Sequence, residues 1–147
     1  MARRGTLLVL ASAFLISCRP PATPTPSPEA RDEPLCVQRA GDATPVCYAS
    51  FVQLLARPQR FHGKEVQVIG YMTLRQEDTA IYLTEELARH GGSQDAIWLD
   101  LNSPPDFTSG WVLVQGRFNA ERHGHFAMYG GALEEIVRIE RWDERHR

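Results

Sequence analysis

Lysine is almost missing from these 147 residues: Lys64 is the only one. Arginine carries the positive charge, and the chain is formally −2. Without Arg3 and Arg4, which open an export-type segment, fourteen basic residues face eighteen acidic ones, about −4. Nucleic-acid affinity rests on neutralising phosphates, so this balance argues against nucleic acid as a partner. Catalytic signatures are missing too. There is no G-x-S-x-G elbow, no H-E-x-x-H helix and no P-loop. Ser50, Ser93, Ser103 and Ser109 lack a sequence partner that would mark a nucleophile. Carboxylates are plentiful, but their spacing singles out no acid–base pair. The chain reads as non-enzymatic and calls for no cofactor. Long hydrophobic runs are also lacking. Leu7 to Ile16 falls short of the roughly 20 apolar residues that span a bilayer. It has the length of a signal-peptide core.

Cysteine is scarce, three in all, and each has an expected task. Leu15-Ile16-Ser17-Cys18 resembles the lipobox of bacterial lipoproteins. The resemblance implies a signal peptide over residues 1–17, cleavage before Cys18, a thioether-linked diacylglycerol on Cys18 and acylation of the new N-terminus. One acyl chain holds a protein marginally, whereas two or more anchor it. The alternative is an ordinary secretory signal cut near the same place. Arg19 follows the cysteine where an aspartate would resemble an inner-membrane retention signal. The expected location is therefore the outer membrane, facing the periplasm. Residues 18–34 then form the lipidated cysteine and a linker. Prolines at six of its positions deny it helix and sheet hydrogen bonds, so it should be an extended spacer.

Residues 35–147 remain as one domain with a single modest core. Cys36 and Cys47 are expected to pair, because exported chains meet oxidising conditions. Closing so short a loop is worth roughly 3 kcal/mol. "YASFVQLLARP" places Phe51, Leu54 and Leu55 on one helical face, ended by Pro58. "HGKEVQVIGYM" alternates Val66, Val68 and Gly70 against Gln67, Ile69 and Tyr71. "TAIYLT" puts Ile81 and Leu83 together, and Thr84 caps a short helix, "EELARHGG". "AIWLDL" sets Ile97, Leu99 and Leu101 against Trp98 and Asp100. "GWVLVQGRF" sets Val112, Val114, Gly116 and Phe118 against Trp111, Leu113, Gln115 and Arg117. "ALEEIVRIERW" carries Leu133, Ile136, Val137 and Ile139. Period and β-branched content argue for strands.

Gly70 and Gly116 interrupt strong strand patterns, which suggests bends or close backbone approach. Two such bends suit a small closed sheet. The expected fold is mainly β: over about residues 62–141 the spacing resembles a five-stranded OB-like barrel with one or two short helices. "FHGKEVQVIGYM", "AIYLT", "AIWLDL" and "GRFNAERHGHFAMYGGAL" further resemble a family of small exported bacterial proteins. That resemblance supports the fold and implies no activity.

Two features bear on binding. Tyr71, Tyr82, Trp98 and Trp111 fall on outward strand faces, where an aromatic patch suits a protein, peptide or glycan partner. Packing beneath the "YASFVQLLA" helix is the plainer reading. "RHGHF" places His123 and His125 two residues apart, on one face if the segment is a strand. Such a pair can contribute to a zinc or copper site, with His62 as a third ligand and Glu121, Glu134 or Asp100 supplying oxygen. The competing reading is a loop. In it Asn119 bonds its own backbone, Gly124 takes a positive φ, and a histidine ties the hairpin through a carbonyl. The expected function is a lipid-anchored, non-enzymatic binding module of the cell envelope. A metal-dependent enzyme or metal-binding protein built on His123 and His125 is the alternative.

Overall fold

Ser50 caps the first helix by accepting the Gln53 amide, while the Gln53 side chain accepts from the Ser50 N–H. This capping box fixes the start of α1 (Phe51–Ala56). Pro58 follows within a 3-10 turn, where α1 cannot continue. The computed structural model describes residues 34–41 and 43–142, which belong to a compact unit spanning Glu33–Arg147. The expected signal peptide 1–17, lipidated Cys18 and the expected linker up to residue 33 lie outside the described residues. Among the described residues, no helix is long and apolar enough to cross a membrane.

The strands are β1 (Leu35–Val37), β2 (Val46–Tyr48), β3 (Glu65–Arg75), β4 (Asp78–Tyr82), β5 (Ala96–Leu99), β6 (Ser109–Asn119) and β7 (Ala132–Arg141). Between β4 and β5 lies α2 (Glu85–His90). Thr84 caps it by accepting the Leu87 amide, and Gly91, with φ 73°, closes its C-terminus. Acidic Glu85 and Glu86 sit in the first turn and basic Arg89 and His90 in the last, matching the helix dipole.

Alternation sets the core. In β3, Val66, Val68 and Met72 point inward, and in β6 Val112, Val114 and Phe118 do the same. Ile81, Ile97, Leu99 and Leu133 meet them, and Phe51 and Leu54 of α1 belong to the same buried cluster. Each such side chain contributes about 1.5–3 kcal/mol when fully buried. A second, smaller cluster gathers Ala80, Tyr82, Ala88, Ala96 and Tyr129 beneath α2.

The expectation of a five-stranded OB-like barrel needs correction. Among the described residues the sheet has seven strands in the order β1-β2-β3-β4-β5-β7-β6, with a further β3–β6 pairing. It is mixed, since β2–β3 and β5–β7 run parallel. β3 is shared: Glu65–Gln67 pair with β2, Tyr71–Arg75 with β4, and Glu65–Thr73 with β6. The two N-terminal strands were not legible because three residues each carry no periodicity. Gly70 and Gly116, the residues that argued for a barrel, serve close approach. A Cβ on Gly70 would stand 2.9 Å from the Tyr82 carbonyl oxygen and 3.1 Å from the Phe51 ring. A Cβ on Gly116 would stand 2.8 Å from the Glu134 carbonyl oxygen, where the β6–β7 register shifts.

The disulfide Cys36–Cys47 is present and joins opposed residues of β1 and β2. It fastens the outermost hairpin of the sheet.

Candidate functional site

The segment between β6 and β7 is a loop carrying both histidines. Asn119 Oδ1 accepts the amides of Glu121 at 2.9 Å and Arg122 at 3.2 Å, turning the chain out of β6. Arg122 then reaches Asp100 at 2.5 Å and Glu134 at 3.0 Å. Hydrogen bonds to Glu134 first, then to Asp100, raise its already high pKa. Glu134 and Asp100 thus meet a guanidinium. His62 Nδ1 accepts the Ala120 amide at 3.2 Å.

His123 ties the loop shut. Its Nδ1 lies 2.8 Å from the Tyr129 carbonyl oxygen. A carbonyl only accepts, so this nitrogen donates. The Tyr129 amide returns a bond to the His123 carbonyl at 3.1 Å. His125 is placed differently. Its ring sits 3.9 Å from the ring of Phe126, and its Nε2 is shielded from solvent with no hydrogen-bond partner. Among the described residues, no three or more His, Cys, Asp or Glu side chains stand together as a metal-holding group.

The loop backbone is strained. Gly124 has φ 60° and packs where a Cβ would be 2.7 Å from the Trp98 ring. Phe126 and Ala127 follow at φ 53° and 55°. For residues with a Cβ this left-handed region costs about 1–2 kcal/mol each. Phe126 is 75% exposed.

Below this loop opens a cleft of about 650 Å³, bounded by the β3–β4 turn, α2 and the 125–129 segment. Asp78 lines it. Its Oδ1 accepts the hydroxyls of Tyr82 at 2.5 Å and Tyr129 at 3.2 Å, and its Oδ2 accepts Thr73 at 2.8 Å. Burial, then the Asp78 carboxylate, pushes the Tyr129 phenol up to about 12. Burial, then the hydrogen bond to Asp78, raises Tyr82 further above its ordinary value. Both phenols stay protonated at neutral pH and act as donors.

The expected aromatic patch divides. Tyr82 is buried in the smaller cluster, and Trp98 packs against Tyr129 with ring centres 5.2 Å apart. Tyr71 is half-buried against the same cluster and meets Trp111 edge to face at 6.0 Å. Trp111 is 40% exposed. With Val52, Ile69 and Leu83 it borders an open groove of about 610 Å³, whose walls also include Phe51 and Tyr48. The outward alternation of β3 and β6 explains Ile69 and Trp111. Val52 comes from the outer side of α1.

Sequence reasoning missed the Asp78–Tyr82–Tyr129 network. Its one available signal was an acidic residue opening the apolar run "DTAIY". Tyr129 offered none, since it comes from a loop with no periodicity.

No protein-family model, curated protein or solved structure matches the chain. The resemblance to a family of small exported proteins with an OB-like barrel is therefore corrected: no family match accompanies it, and the sheet is seven-stranded and mixed.

Proposed function

We propose that this chain is a non-enzymatic binding module of the bacterial cell envelope, held there by lipid on Cys18 and facing the periplasm from the outer membrane. The groove around Trp111 carries this reading. Val52, Ile69, Leu83 and Trp111 are large apolar side chains left partly in water at one place. Contiguous apolar surface rimmed by polar residues marks interaction sites, and tryptophan is enriched among the residues that dominate binding energy. An envelope protein with an apolar anchor suits such a groove. The lipid supplies attachment and the proline-rich linker supplies reach, so the domain needs only to present a face.

The test is a photo-crosslinking side chain at position 52, in the full chain inside living cells, with position 59 as a control. The reading expects one discrete adduct from position 52, absent from position 59 and lost with Trp111→Ala. Indistinguishable patterns at the two positions would overturn it. Lipid attachment is checked by mass spectrometry of the N-terminal peptide, which should begin at an acylated Cys18.

A further inference from the structure

We infer that the cleft beneath the histidine loop is a second binding site, specific for a neutral saccharide. It shares no lining residue with the Trp111 groove.

Charge narrows the ligand first. Arg75 and Arg89 stand on the cleft wall with Glu77 and Asp78, so neither sign dominates. Arg89 is further engaged by Glu85 at 2.6 Å. A strongly anionic or cationic ligand would find as much repulsion as attraction.

Unused polar capacity narrows it further. A carboxylate offers about four acceptor positions. Tyr82 and Tyr129 occupy Oδ1 of Asp78, whereas Thr73 alone occupies Oδ2, leaving room there for one more donor. His125 Nε2 has no partner at all. A wholly apolar ligand would strip water from the open Asp78 position and leave the already buried Nε2 unsatisfied, whereas polar groups on a ligand could serve both. A ligand bearing hydroxyls satisfies both.

The rim demands something more than hydroxyls. Phe126 and Met128 are exposed apolar side chains at the cleft mouth, and the Tyr129 ring lies inside. A sugar ring matches this division, with hydroxyls around its edge and a C–H face for an aromatic ring. The Phe126 ring now covers His125. Rotation of this exposed side chain uncovers Nε2 and lays the ring over the sugar. Phe126 itself has left-handed backbone and lines the cleft.

The experiment is an NMR titration of the full chain in detergent, following the His125 and Tyr129 ring signals. The probes are N,N′-diacetylchitobiose and maltose, both neutral, and galacturonate as an anionic counterpart. The inference expects saturable shifts of both rings with at least one neutral disaccharide. It also expects about tenfold weaker binding in Phe126→Ala, the loss of one aromatic contact. Trp111→Ala should leave the titration unchanged, so this site and the groove succeed or fail separately. No saturable shift with either disaccharide, equal affinity in a folded Phe126→Ala, or tighter binding of galacturonate would each overturn the inference.

Discussion

His123 and Tyr129 are joined twice, ring nitrogen to carbonyl at 2.8 Å and amide to carbonyl at 3.1 Å. Two residues further on, His125 has a buried ring nitrogen with nothing to bond. The two imidazoles of one motif therefore have opposite effects on stability. His123→Ala should destabilise the domain by about 1 kcal/mol, the net worth of a hydrogen bond. His125→Leu should be neutral or stabilising, because it removes an unsatisfied buried group. Urea denaturation of the two variants checks this; an equal loss in both would contradict it.

Space at the glycines gives a second expectation. Gly70→Ala and Gly116→Ala each drive a methyl group against a carbonyl oxygen, at 2.9 Å and 2.8 Å. Overpacking of this kind costs about 1–3 kcal/mol. Both variants should show a lower midpoint in urea. Gly63→Ala meets no atom within 4 Å but has φ 72°. It should lose only the smaller cost of a left-handed alanine, about 1–2 kcal/mol.

Alkaline pH should unfold the protein through its buried phenols. Tyr129 is raised from an ordinary value of 10.0 to about 12, and Tyr82 is raised as well. Above pH 10 the unfolded chain releases these protons while the folded one keeps them. The stabilisation is therefore complete below pH 10 and is lost as pH climbs toward 12. Equilibrium stability measured from pH 8 to 12 should fall over the upper part of that range. Tyr129→Phe should fall less steeply, even if it starts lower for want of its bond to Asp78. Parallel curves would count against the assignment.

Reduction should act on the outer hairpin. The Cys36–Cys47 bridge spans a sequence separation of 11. Its removal, by dithiothreitol or by Cys36→Ser with Cys47→Ser, should cost about 3 kcal/mol. Hydrogen exchange should quicken most in β1 and β2, with β6 less affected. Uniform acceleration would show that the hairpin is not an independent unit.

The amphipathic strands were open to sequence reading because one face of each is buried. Val66, Val68 and Met72 in β3, and Val112, Val114 and Phe118 in β6, carry a period of two that survives without tertiary knowledge. Thr84 and Gly91 announced α2 through capping chemistry that is local to the chain. Strand pairing was a different matter. A mid-strand glycine gives the same signal for a sheet corner as for a neighbour pressing close, and only the positions of Phe51, Tyr82 and Glu134 decide between them. The cleft was illegible for a similar reason. Asp78, Thr73, Tyr82 and Tyr129 converge from two strands and a loop, and no spacing along the chain records that convergence. His123 and His125 were legible as a motif, but one is turned into a carbonyl and the other under a phenyl ring.

The shared position of β3 has a consequence in time. Glu65 takes its β6 partner from Arg117 and Thr73 takes its own from Ser109, so the longest pairing in the sheet must wait for residues made much later. The β1–β2 hairpin can close early, yet its parallel partner in the sheet is that same waiting strand. Contacts so distant along the chain slow folding. Were the chain exported as proposed, it would stay open until β6 emerged, threadable in transit and with its apolar strands exposed on arrival.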